Sequence, residues 1–178
     1  MKFQSKETLA KFAIEYFLNN ETIPDVKKEE VDSKLWDKAA SFVTVYVNNK
    51  LHGCIGDYVA TEPLYRNIVK NAVNAAFADF RFPPVSIEEL PKLKTEVSVL
   101  TPPCEFKPKD TKNLLAFLEK EKPGLILESY GRKSLFLPQV WKEIKEPSEF
   151  LSHLCLKANL PPHSWQEYKM KFWIFRTI

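Results

Sequence analysis

Cys54 stands between two of the four glycines in a chain of 178 residues, in the run Gly53-Cys54-Ile55-Gly56, with His52 two positions before the thiol. A thiolate is a strong nucleophile and a metal ligand. A neighbouring imidazole can take its proton or, when cationic, stabilise the charged sulfur. Glycine serves where backbone turns sharply or comes close to another group. The same run also reads as a tight structural turn with a small apolar plug, since free cysteine packs as a small hydrophobe. Both readings stay open on pattern alone.

Asp79-Phe80-Arg81-Phe82-Pro83-Pro84 is the second chemical segment. Two consecutive prolines stiffen it, and a guanidinium held in a fixed pose suits a carboxylate or phosphate. The bland alternative is that Arg81 pairs with Asp79 and locks the loop. A third pair, His153 and Cys155, splits on the helix expected there: Cys155 falls on the apolar stripe and His153 on the solvated side. His163 lies in a Pro-rich connection and carries no signal. Metal-ligand spacings are missing, with no C-x-x-C and no H-E-x-x-H. The zinc deaminase signature fails because His52-Gly53-Cys54 lacks its glutamate. There is no P-loop, G-x-G-x-x-G or G-x-S-x-G either. No cofactor and no metal are expected.

The elements that must position these residues follow from periodicity. Residues 5–18 read as an amphipathic helix capped by Ser5, with Leu9, Phe12, Ala13, Tyr16 and Phe17 at helical spacing. Phe42 to Val47 alternates as a strand. Asn48-Asn49 is a turn that tolerates positive φ, and Leu51 to Ile55 returns as the second strand of a hairpin. If that strand stays extended, Leu51, Gly53 and Ile55 face one way, and His52 and Cys54 the other. Thr61 is the expected cap of a helix running to about Phe77, with Leu64, Ile68, Ala72, Ala75 and Ala76 as its apolar stripe. Thr95 to Leu100 is a strand. Asp110 or Thr111 caps a short helix through Leu114, Phe117 and Leu118. Leu125–Leu127 and Ser134–Leu137 form a hairpin around Gly131. Phe150, Leu151, Leu154, Cys155 and Ala158 mark another helix, and Tyr168 to Phe175 a last strand. Hairpins without a regular βαβ rhythm predict an α+β fold of mainly antiparallel sheet with flanking helices. The reading is a single domain over 1–178, with a larger and a smaller lobe and a seam near 102–112.

Bulk composition narrows the function. The chain is 44% hydrophobic and 28% charged, and 26 basic against 23 acidic side chains give a net charge of +3. That balance offers no electrostatic footprint for nucleic acid or an anionic membrane. Three widely spaced cysteines are no secreted disulfide framework, and neither a signal peptide nor a spanning apolar stretch is read, so a cytoplasmic protein is expected.

Several blocks fit one pattern together. Leu51-His52-Gly53-Cys54-Ile55-Gly56 resembles the motif L-R-G-C-I-G, and Asp79 through Pro84 resembles D-x-R-F-P-P. Glu89-Leu90-Pro91, Val97-Ser98-Val99-Leu100, Gly124-Leu125-Ile126-Leu127-Glu128 and Leu137-Pro138-Gln139-Val140 follow. Phe150-Leu151, His153 to Ala158, Leu160-Pro161-Pro162 and Trp165 complete the series. These blocks resemble the AMMECR domain family, and the C-terminal ones are most similar to its archaeal and bacterial members, protein A of the AmmeMemoRadiSam system. The resemblance implies an α+β fold of two lobes and a functional site at the cysteine motif. It implies partnership with Memo-type proteins, which resemble extradiol dioxygenases, and with a radical S-adenosylmethionine enzyme, in modifying a base or other small molecule. The human relative implies instead a role in protein–protein regulation.

Carried over by position, Cys54 with His52 is the catalytic candidate. Gly53, Gly56, Asp79, Arg81 and Phe82 are the substrate-binding candidates. His52 departs from the family arginine, which would keep a permanent charge beside the thiol; histidine does so only below a pKa of ~6.5. Two functions remain: a cysteine-dependent enzyme, and a non-catalytic protein-interaction or adaptor module using the same pocket.

Overall fold

The computed structural model describes residues 2–167 and 169–178. Residues up to Pro102, joined by Ile178, form one compact unit, and Pro103–Thr177 form the second.

The first unit opens with α1 (Lys6–Asn20), where the Ser5 side chain accepts a hydrogen bond from the Thr8 amide as N-cap. Strands β1 (Ala40–Val47) and β2 (Lys50–Gly56) are joined through Asn48 and Asn49, whose φ values of 51° and 62° are those of a tight hairpin turn. Helix α2 (Leu64–Phe77) ends where its apolar stripe predicts. Its start lies later than the Thr61 cap suggested: Pro63 is the N-cap residue, and the Leu64 amide is satisfied by the Asp37 carbonyl. Strand β3 (Leu93–Leu100) completes an antiparallel sheet of order β2-β1-β3. One face of this sheet carries Val43, Val45, Val97 and Val99. It packs into a core with Ile68, Ala72, Ala75 and Ala76 of α2 and Leu9 and Ala13 of α1. The opposite face, with Phe42, Thr44, Tyr46, Cys54 and Ser98, is only partly buried.

The second unit holds β4 (Cys104–Phe106), α3 (Thr111–Glu121), β5 (Gly124–Ser129), β6 (Arg132–Phe136), α4 (Pro147–Lys157) and β7 (Lys171–Phe175). Its antiparallel sheet runs β4-β7-β5-β6. Asp110 caps α3, and the β5–β6 turn places Tyr130 and Gly131 at positive φ. Leu114, Leu118, Leu125, Leu127, Phe150, Leu151 and Leu154 form the core, with the Trp141 and Phe150 rings stacked 3.8 Å apart. Strand β4 has no alternation in sequence to announce it. The last strand was expected from Tyr168, a residue that lies outside the described ones; β7 begins at Lys171. Cys155 is fully buried as expected of its stripe, and burial pushes its thiol pKa up, while His153 is exposed. Both units combine helices with antiparallel sheet, so the α+β expectation holds. Among the described residues no helix is long and apolar enough to cross a membrane.

Candidate functional site

The hairpin turn alone would set a register that the structure does not keep. Continuing from Val47↔Lys50 and Tyr46↔Leu51 without interruption, Cys54 would oppose Val43 on the face covered by helices. A β-bulge intervenes: the pairing shifts between Val45 and Tyr46, so that Val45 opposes Gly53 and Thr44 opposes Cys54. A one-residue slip exchanges the faces of a strand. Here it turns Gly53 towards α2 and puts Cys54 on the opposite, partly buried face. His52 is the extra residue and has no ladder partner. The simple alternation expected for Leu51 to Ile55 is therefore interrupted; Leu51 is exposed where Gly53 is buried.

The two glycines of the motif serve packing rather than a turn. A Cβ on Gly53 would stand 1.9 Å from the Ala75 carbonyl oxygen of α2, and one on Gly56 would stand 2.3 Å from the Phe42 ring. The segment is the returning strand expected of the hairpin, bulged at His52 and pressed against helix backbone on one side, and not the tight turn that its glycines also allowed.

That strand lies at the edge of its sheet. Its outward-facing backbone is bound by the loop after α2. The Cys54 amide donates to Asp79 Oδ2 at 2.9 Å, and Arg81 Nη2 donates to the Cys54 carbonyl at 3.2 Å. Both backbone groups of Cys54 thus point away from β1. Thr44 and Cys54 therefore form the closer, non-hydrogen-bonded type of cross-strand pair, and the Thr44 hydroxyl donates to Cys54 Sγ at 3.3 Å. The ion pair also masks an edge that would otherwise offer free backbone groups to another strand.

Asp79 and Arg81 are bound to each other as well. Arg81 Nε donates to Oδ1 at 2.8 Å, Nη2 to Oδ2 at 2.6 Å, and the Arg81 amide to Oδ1 at 3.2 Å. The Asp79 side chain is 2% exposed and that of Arg81 48%. Hydrogen bonding from the Arg81 side chain is the main reason the Asp79 pKa falls to about 2, against the opposing effect of burial; the Cys54 amide adds to the lowering. The Arg81 pKa is raised, first by its hydrogen bonds to Asp79, with a smaller electrostatic contribution from Cys54. That last attraction is mutual and favours negative charge on the sulfur.

His52 Nε2 bonds to the Pro83 carbonyl at 2.9 Å, and its ring stacks on Phe82 with centroids 6.1 Å apart. The Arg81 guanidinium lies over the same Phe82 ring at 5.5 Å. The bulged histidine thus braces the hairpin against the D-F-R-F-P-P loop. The structure brings Cys54, Asp79 and Arg81 into direct contact and links Phe82 and His52 to them, while Gly53 and Gly56 set the strand's approach to its neighbours.

Two parts of this region escaped sequence reasoning. Thr44 acquires its role only through the bulge. The second is a buried polar network on α2. Asn67, fully buried, accepts at Oδ1 from the Ser41 amide, the Ser41 hydroxyl and Asn71 Nδ2, and donates to Asp57. Asn71 donates to the Ser41 carbonyl, and Lys70 bridges Asp57 at 2.9 Å and Glu62 at 2.7 Å. Burial works to raise the Asp57 pKa, but hydrogen bonds from Lys70, Asn67 and Asn71 together outweigh it and lower the pKa. Asn67 and Asn71, four apart within an apolar stripe, are the available signal in sequence. The network anchors Asp57, the residue after Gly56, and so the end of the Cys54 strand. Among the described residues no group of three or more His, Cys, Asp or Glu is arranged to hold a metal ion.

The AMMECR1 family model matches residues 8–178. This chain belongs to the AMMECR1 family. It is similar to protein MK0488 of Methanopyrus kandleri, 37% identical over 177 residues, covering 95% of this chain and 83% of that protein. Protein NEQ441 of Nanoarchaeum equitans is 39% identical over 174 residues, covering 94% and 93%. The crystal structure of uncharacterized protein PH0010 from Pyrococcus horikoshii superimposes with a TM-score of 0.85 at 35% identity, covering 97% of this AMMECR1 chain and 87% of that one. The fold described above is that of the family.

Proposed function

We propose that Cys54 is a nucleophile for covalent chemistry on a small molecule. The observation that supports it most is the setting of the sulfur. It stands on the partly buried sheet face away from α2, accepts the Thr44 hydroxyl, and belongs to a residue whose carbonyl is held by the Arg81 guanidinium. A hydroxyl donor and a nearby fixed cation both favour a thiolate over a thiol. In the reaction, the thiolate sulfur bonds to an electrophilic carbon. The leaving group departs with the electrons of the broken bond, and the thiol proton passes to water. Thr44 and His52 act as positioning residues, the first on the sulfur and the second on the loop that carries Arg81. In this reading the Memo-type and radical S-adenosylmethionine proteins implied by the family motifs work on the same small molecule.

The test is alkylation by iodoacetamide as a function of pH, followed residue by residue by peptide mass spectrometry. Cys104, which is exposed, is the reference thiol in the same molecule, and fully buried Cys155 should react only after unfolding. Cys54 is expected to react with a midpoint below that of Cys104, and Thr44→Val to move it back up. A Cys54 midpoint at or above that of Cys104 defeats the proposal.

A further inference from the structure

The Asp79–Arg81 pair leaves one edge of the guanidinium uncommitted. Nε and Nη2 are consumed by Asp79 and the Cys54 carbonyl, whereas Nη1 has no partner among the described residues. We infer that Arg81 Nη1 is the docking point for an anionic group, a carboxylate or phosphate, on the molecule that reacts at Cys54. This rests on the reading of Cys54 as a nucleophile and names the class of its substrate.

Three features support the assignment. The guanidinium is already immobilised by its two bonds to Asp79 and by the Phe82 ring beneath it, so little side-chain freedom is lost when an anion binds. The negative partner is buried at 2% exposure while the arginine side chain is 48% exposed, so the pair presents its positive end to solvent. Finally, the hydrogen bond from Nη2 to the Cys54 carbonyl places the cation beside the residue that carries the reacting sulfur. An anion on Nη1 would hold an attached electrophilic carbon near Sγ, which lowers the entropic cost of attack. Glu96, opposite Thr44 in the next strand over, lies two strands from Cys54. At the usual inter-strand spacing that is about 10 Å, where screening weakens its repulsion of such a group.

Iodoacetate and iodoacetamide test this directly, because they deliver the same carbon to sulfur with loss of iodide and differ in charge. The readout is the ratio of the two alkylation rates at Cys54, divided by the same ratio at Cys104 on the same protein. A value of about 10 is expected, the tenfold that corresponds to about 1.4 kcal/mol of extra binding. The value should fall to about 1 in Arg81→Gln. That variant leaves the Asp79 carboxylate without its partner and is susceptible to misfolding, so protection of the wild-type protein supplies an independent arm. Acetate and inorganic phosphate are each tested for slowing alkylation of Cys54 by iodoacetamide. Protection by acetate assigns a carboxylate, and protection by phosphate assigns a phosphoryl group. Fast alkylation of Cys54 with a normalised ratio of 1 and no protection by either anion overturns this inference alone. A Cys54 alkylation midpoint at or above that of Cys104 overturns the nucleophile reading and this inference with it.

Discussion

Replacing Asp79 with asparagine tests whether the ion pair holds the Cys54 edge in place. Asp79 receives four hydrogen bonds, one from Cys54 and three from Arg81. Its pKa drops from an ordinary 3.8 to about 2. At about 1.4 kcal/mol per unit, that depression corresponds to roughly 2 kcal/mol of folding stability at neutral pH. The carboxylate is nearly buried, so solvent screening requires little discount. The sign follows from the folded pKa lying below the unfolded one. The contribution is complete above pH 4, is lost as pH falls towards 2, and stands at about half its value near pH 3. Urea unfolding of wild type and Asp79→Asn, followed by Trp fluorescence, should therefore show a difference of roughly 2 kcal/mol at pH 7 that shrinks to about half by pH 3. Equal stabilities at pH 7, or a difference that does not change between pH 7 and pH 3, would refute the assignment of this stability to the ionised carboxylate.

Gly53→Ala should lower stability by about 3 kcal/mol or more, since the new Cβ meets helix backbone that cannot swing aside, and thermal unfolding measures it. Asn67→Ala removes the acceptor shared by the Ser41 amide and hydroxyl and should cost about 2–3 kcal/mol in urea unfolding, whereas an exposed asparagine such as Asn19 should cost under about 0.5.

Most of the fold is legible in the amino-acid sequence. The valine alternation of Phe42 to Val47, the Asn-Asn turn, the stripe of Leu64, Ile68, Ala72, Ala75 and Ala76, and the Asp110 cap are local signals, and the structure follows them. Strand β4 was invisible because three residues carry no period. The start of α2 was misplaced because the Leu64 amide is satisfied by Asp37, a partner distant in sequence. The buried asparagines were passed over because a polar residue on a helix reads as solvated until its tertiary partners are known.

The candidate site divides along the same line. Local pattern supplies its candidates: a thiol bracketed by glycines, an Asp-x-Arg pair before two prolines, and a family whose blocks recur in order through the chain. How they meet depends on packing between distant segments. The bulge at His52, not the hairpin turn, chooses which face of the sheet receives the sulfur, because only glycine fits against the Ala75 carbonyl and the strand must slip to place Gly53 there. That slip sets Thr44 opposite Cys54. The edge position of β2 then leaves the Cys54 amide and carbonyl for Asp79 and Arg81 to bind, which spends one side of the guanidinium and frees the other. Such outcomes depend on close packing between residues far apart in the chain, and local periodicity carries no record of it.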